Sequence, residues 1–337
     1  MKAVIYFLFD CLASVISLIA LPILYISRKF GVEHFPMQLF LFRKIGVFPI
    51  RDHYYEPRFI YPKNINSIDE NGSLNKNEFS GVSMVSNRNI AKQIQLSTQD
   101  LTVQLSRLKE FNHLLELNEL PLNRGLQKND FYVHNPNFGA GDVEMYYLMV
   151  RNKKPKNIIE IGSGYSTLLC LRAIDKNSAE GNSCNLICIE PFEMPHLNQE
   201  KGITLIRKTV EEVPLEMFQL LEANDILFVD SSHIIRPGND VLHIFFQILP
   251  SLKKGVIIHI HDIFLPNHYP NSWLTEKMRF WNEQYLLEAF LYKNESFQVL
   301  FVLNYLTKQA FEETRSTLIH LMENSEPSSF WMQKIED

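Results

Sequence analysis

The chain has 337 residues, 46% of them hydrophobic, and a formal net charge of -5 with acidic and basic residues interleaved. That length buries a full α/β core and leaves about a hundred residues for an accessory segment. The charge balance supplies no broad basic field of the kind that holds a phosphate backbone, which excludes nucleic acid as the expected substrate and leaves a small molecule or a glycan.

In chain order, residues 4–26 form an almost uninterrupted apolar run, long enough to cross a hydrocarbon core as one helix. Asp10 lies near one end of the run, where a carboxylate costs least, and Pro22 introduces a kink. A cleaved signal peptide is the rival, but no small-x-small site follows, and the run continues through Tyr25 and Ile26 into Arg28 and Lys29. Residues 1–27 are therefore read as an uncleaved single-pass transmembrane anchor. Arg28, Lys29, Arg43 and Lys44 outweigh Lys2, which places the body of the chain in the cytoplasm.

Residues 28–130 form an N-terminal extension. Its segment 35–50 suits either a membrane surface or packing beneath the catalytic domain. The polar and aromatic cluster 52–57, with His53 and Tyr54, is able to line a substrate pocket, and the Asn-, Ser- and Gly-rich stretch up to Asn89 reads as a surface loop. A helix is predicted from Ser97, with Asp100 as its capping-box partner and Leu101, Leu105, Leu108, Phe111 and Leu115 as one apolar stripe facing a core. Cys11, Cys170, Cys184 and Cys188 show no metal-type pair spacing, so reduced thiols and a reducing compartment are expected.

Over residues 131–337, short β-branched runs alternate with helical segments, the signature of a doubly wound, mostly parallel α/β sheet. Strands are predicted at 157–161, 185–190, 204–206, 225–230 and 256–261, with helices between them that include 240–249 and 275–291. Two further strands, 297–303 and 330–335, complete the sheet. His134, Asn135, His53 and Tyr54 are candidates to border an acceptor, whereas His243 is assigned to structure. Trp281 and Glu283 belong either to a packed helix or to the acceptor pocket, with core packing the favoured reading.

The first strand ends in Glu160-Ile161-Gly162-Ser163-Gly164, a tight turn whose glycines let a ligand approach the backbone. Glu160 attracts the amino group and sulfonium of S-adenosylmethionine (SAM) and repels the pyrophosphate of a dinucleotide. Thr167 stands where the dinucleotide fingerprint asks for Gly or Ala. Glu190, at the end of the second strand, is placed to accept hydrogen bonds from both hydroxyls of a ribose. The fourth strand ends in Asp230-Ser231-Ser232-His233 and the fifth in His259-Ile260-His261-Asp262, so Asp230 and Asp262 both project from the carboxyl edge of the sheet. Two carboxylates there can hold a divalent cation that orients a hydroxyl and lowers its pKa, with His233 as the base that takes the proton.

The turn with Glu190 resembles the first two motifs of class I SAM-dependent methyltransferases, over residues 131–337. The resemblance implies a Rossmann-like sheet of seven strands whose last strand, 330–335, runs antiparallel, and it brings Asp142 and Glu211 near the cofactor. The segments around Asp230 and Asp262 resemble metal-dependent O-methyltransferases of the macrocin sugar type and, more distantly, the catechol type. By that resemblance Asp230 and Asp262 are metal ligands, Asp230 also borders the cofactor, and His233 is the base. His261, counted as a third ligand, stands where the macrocin type has a carboxylate, and an imidazole suits Zn or Mn better than Mg. The expected function is methylation of a hydroxyl on a glycan or small metabolite. Two other classes stay open: an NAD(P)-dependent oxidoreductase or nucleotide-sugar enzyme, and a non-catalytic SAM-binding scaffold.

Overall fold

The computed structural model describes residues 96, 98–125, 131–192, 202–270, 272–273 and 279–336. The expected anchor, the cluster at 52–57, the loop before Asn89 and the cap at Ser97 lie outside them. Among the described residues no helix is long and apolar enough to cross a membrane.

The elements run α1 (Thr98–Lys109), α2 (Asp142–Lys153), β1 (Asn157–Ile161), α3 (Tyr165–Ala179), β2 (Asn185–Ile189), β3 (Ile203–Ile206), α4 (Leu215–Phe218), β4 (Ile226–Val229), α5 (Asp240–His243), α6 (Leu249–Ser251), β5 (Ile257–Ile260), α7 (Glu283–Leu291), β6 (Phe297–Val302), α8 (Leu303–Gln309), α9 (Phe311–Arg315) and β7 (Phe330–Lys334). The helix expected over 240–249 forms, but a π turn, Ile244–Ile248, separates α5 from α6. The helix expected over 275–291 is shorter, because residues 279–282 are irregular and α7 begins at Glu283.

The seven strands form one sheet in the order β3-β2-β1-β4-β5-β7-β6. Pairs among β1 to β5 are parallel, and β7 runs antiparallel to both β5 and β6. The sheet is thus mixed, with the antiparallel strand where the family resemblance put it. Alternate residues of each strand serve opposite faces, as the two-residue period requires. Ile158, Phe228 and Ile257 pack with α2 and α3 on one side, while Ile159, Leu227 and Ile258 pack with α5 and α7 on the other. Glu160, Asp230, His259 and His261 continue the α2/α3 face by the same period.

The chain leaves β1 towards β2 on one side, and β4 lies on the other, so strand order reverses between β1 and β4. A crevice opens at their carboxyl ends, the usual ligand site of such sheets. Helix α1 packs at the far edge, where Gln104 Oε1 accepts the Val302 amide at 2.9 Å and Arg107 Nη1 donates to the Val299 carbonyl at 3.1 Å. These two contacts occupy backbone groups of edge strand β6 that an unprotected edge would leave exposed. The predicted α1 stripe is corrected at its end: Leu108 is buried, but Leu115, beyond the helix, is 85% exposed.

Candidate active site

A cavity of about 550 Å³ fills the crevice, lined by Gly162, Ser163, Gly164 and Glu190 at one end and by Asp230, His233, His261 and Asp262 at the other. An adjoining cavity shares Gly162, Glu190 and Asp230 with it and extends to Phe192 and Glu211. The turn after β1 is held closely against β4. Gly162 has φ +81, its amide donates to the Ile189 carbonyl at 3.0 Å, and the Asp230 amide donates to the Ile161 carbonyl at 2.8 Å. The Glu190 carboxylate accepts the amides of Ser163 at 3.2 Å and Phe192 at 2.8 Å. Glu190 therefore stands at the mouth of the Gly turn. Beyond it, Glu211 Oε2 is buried and has no hydrogen-bond partner among the described residues.

Glu160 requires a correction. Its side chain points into the α2/α3 layer rather than the crevice, and it lines neither cavity. Tyr146 Oη donates to one carboxylate oxygen at 3.0 Å and Thr167 Oγ1 to the other at 2.5 Å, while the same hydroxyl accepts the Gly164 amide at 3.1 Å. Glu160 thus braces the turn from behind instead of meeting a sulfonium. Burial pushes its carboxyl up to about 7, against the lowering effect of the hydroxyl donors. Below the unfolded value the carboxyl is protonated in both states. As pH rises from there towards 7 the unfolded chain ionises first, so stability is lost across that window. Denaturant melts of the wild type and Glu160→Gln should show the wild type losing about 2 kcal/mol relative to the variant between about pH 5 and pH 7.5. A difference that does not vary with pH would mean that Glu160 is ionised throughout.

The other end of the cavity brings two imidazoles and two carboxylates together. His233 Nε2 lies 3.1 Å from Asp230 Oδ1 and 3.6 Å from Asp262 Oδ2. His261 Nδ1 lies 3.8 Å and 3.7 Å from the same two oxygens. Donor atoms of Asp230, His233 and Asp262 all fall within 4.8 Å of one another, as ligands of one cation must. His261 is buried, and neither ring nitrogen has a hydrogen-bond partner among the described residues. Its Nε2 is 3.6 Å from Asp142, whose carboxylate accepts the amides of Ser328 and Ser329. Asp142 therefore joins the far side of His261 to the loop before β7 and lines a side cavity, not the crevice beside the Gly turn.

His233 and Asp262 both adopt left-handed backbone, with φ +61 and +57. Such a conformation costs a non-Gly residue about 1 kcal/mol and persists only where the surroundings impose it. For His233 the surroundings are the start of α7. Its carbonyl accepts the Asn282 and Glu283 amides, and its Nδ1 bonds Glu283 Oε2 at 2.9 Å. Glu283 is fully buried, and its second oxygen accepts Ser231 Oγ at 2.9 Å. The pairing holds the imidazole with Nε2 facing the cavity. Burial pulls the His233 pKa down, but the hydrogen bonds to Asp230 and Glu283 outweigh it and raise it to about 10. Burial likewise opposes ionisation of Asp230, yet the two imidazoles hold its carboxyl well below the usual carboxylate range.

The remaining candidates are distributed as follows. Asn135 is buried and organises its own turn, donating to the Tyr132 and Phe138 carbonyls and accepting the Asn137 and Phe138 amides. His134 is exposed and borders the side cavity. His243, on α5, borders none of the three cavities. His53 and Tyr54 lie outside the described residues. Trp281 is not a helical core residue: it covers His233 at a centroid distance of 4.2 Å and lines the cavity. Glu283, assigned to core packing, is indeed buried, but against the imidazole. Arg279, also on the cavity wall, was not anticipated; its neighbours Trp273 and Trp281 were the available signal.

Residues 159–263 match a family model described as a methyltransferase domain. An uncharacterized protein of Archaeoglobus fulgidus is 32% identical over 101 residues, which cover 28% of this chain and 44% of that protein. The chain thus spans less than half the length of that curated relative. Among solved structures, the chain is similar to an O-methyltransferase from Bacillus cereus in complex with SAH, at 15% identity and a TM-score of 0.32, covering 73% of this chain and 100% of that one. It is also similar to a protein from Plasmodium falciparum described as a putative protein-L-isoaspartate O-methyltransferase, in complex with S-adenosyl-L-homocysteine, at 16% identity and a TM-score of 0.28, covering 47% and 82% of the two chains.

Proposed function

We propose that this chain is a SAM-dependent O-methyltransferase that methylates a hydroxyl of a glycan or small metabolite with the help of a divalent cation. The observation that carries the reading is the placement of His233, Asp230 and Asp262 on the wall of the same cavity as the Gly162–Gly164 turn and Glu190. The residues suit SAM. Glu190 is positioned for the ribose hydroxyls, and the orphaned Glu211 Oε2 is an acceptor for the exocyclic amine of adenine. The acidic lining of Glu190, Asp230 and Asp262 disfavours the pyrophosphate of a dinucleotide.

In the transfer, the acceptor oxygen attacks the methyl carbon in line with sulfur. A carbon–oxygen bond forms as the carbon–sulfur bond breaks, and sulfur leaves as a neutral thioether. The hydroxyl proton goes to His233 Nε2, whose ring Glu283 holds in place through Nδ1. The Asp230 and Asp262 carboxylates would hold a cation, with His261 Nδ1 beside both of them, and that ion would supply Lewis-acid activation of the hydroxyl and neutralise the carboxylates that keep His233 protonated. Attachment to a membrane through residues 4–26, with this unit on the cytoplasmic side, belongs to the same proposal and rests on the apolar run and its Arg28 and Lys29 flank.

Calorimetric titration of SAM into the full chain, with and without Mg, Mn or Zn and with NAD as the control, tests this. Saturable SAM binding whose heat changes with metal is the expected result. A folded protein that binds NAD and not SAM would refute it.

A further inference from the structure

The cavity carries a cation that methyl transfer itself does not use. Arg279 lines the wall beside Trp273 and Trp281, with its guanidinium carbon 4.9 Å and 4.7 Å from their ring centroids. The two indoles meet edge to face at 5.1 Å and 84°, and the Arg279 amide donates to the Trp273 carbonyl at 2.8 Å. Trp281 in turn covers His233, so one indole contacts both the guanidinium and the imidazole. Cation–π contacts use the faces of a guanidinium and leave its N–H donors in the edge plane, where they match two oxygens of one anion. The two ring contacts are this side chain's only partners among the described residues. The Asp230 and Asp262 carboxylates on the same wall pair with His233 and His261, so the charge complement for an anion in this cavity is Arg279.

Resting on the methyltransferase reading, we infer that the acceptor is an anionic hydroxy compound: Arg279 grips its carboxylate or phosphate edge-on, while its reacting hydroxyl lies at His233. The same contact sets specificity, because an acceptor lacking the anion leaves the guanidinium without a counter-charge in the cavity.

Binding to the full chain, with and without SAH, is compared for two matched pairs, glucuronate against glucose and 3,4-dihydroxybenzoate against catechol, and for glucose 6-phosphate. In at least one pair the anionic member should bind about ten- to a hundred-fold more tightly, Arg279→Gln should abolish that preference, and Arg279→Lys should restore only part of it. A phosphate probe that binds more tightly than both carboxylates supports the proposal with a phosphorylated acceptor. Equal affinity within both pairs, no binding of any anionic probe, or a preference that survives in Arg279→Gln overturns it. Because the preference is read both with and without SAH, failure of SAH to bind counts against the methyltransferase reading and not against the anion site.

Discussion

Replacing His233 by Asn should lower turnover about 10²–10⁴-fold, the usual contribution of a general base, while SAH affinity stays near that of the wild type and the melting temperature falls, because Asp230 and the buried Glu283 lose a charged partner. Asn is chosen because the residue sits at φ +61, which Asn tolerates better than most side chains do. The carboxamide retains a polar group against Glu283 but cannot take a proton at neutral pH. Turnover is measured as SAH release, with extract of the source cells supplying the acceptor. Glu283→Gln is the companion variant: it keeps a hydrogen bond to Nδ1 but removes the charge that holds the ring, so a smaller loss is expected, about ten- to a hundred-fold. Wild-type turnover in His233→Asn would remove that residue from the proton transfer, whatever happens to Glu283→Gln.

The parts of this arrangement differ in how far they can be read from sequence. The five parallel strands are short apolar runs bounded by turn residues, and their predicted limits fall within one or two residues of those observed. The convergence of Asp230, His233 and Asp262 was legible because all three lie within four residues of the ends of β4 and β5, and a parallel sheet brings its carboxyl ends to one edge. Glu160 was misjudged for a reason present in its own strand. It alternates with Ile159 and Ile161, and the two-residue period sends it to the α2/α3 face, where Tyr146 and Thr167 receive it. A charge argument without that period placed it in the wrong space. Glu283, Trp281 and Arg279 were harder still. They reach the site from an irregular segment and a helix start some 50 residues after His233 in sequence, as the His233–Glu283 pair shows. No local period links such residues to the strand ends, and loops of this kind carry the acceptor side of the pocket.

The second large effect is expected at the Gly turn, where two neighbouring glycines should fail in different ways. A Cβ on Gly162 would fall 2.2 Å from the Asp230 carbonyl oxygen and 3.3 Å from the Asp230 Cβ, at a backbone φ of +81. Neither neighbour is a flexible side-chain end. The contact lies between the ends of β1 and β4, which the Asp230 amide ties together. Gly162→Ala must therefore displace the turn or the strand end that carries Asp230, and about 3–5 kcal/mol of stability should be lost in denaturant melts, together with most SAM affinity. At Gly164, among the described residues, no heavy atom beyond its two chain neighbours lies within 4 Å of the added Cβ. Gly164→Ala should keep nearly all of its stability, yet bind SAM at least about ten-fold more weakly, because the methyl group would enter the space over the turn that the cofactor needs. Stability lost at Gly162 and affinity lost at both positions would show that one residue serves the fold and the other the ligand. If Gly164→Ala bound SAM as tightly as the wild type, the cofactor would not pass over this turn, and Glu190 could not be its ribose partner in the manner proposed.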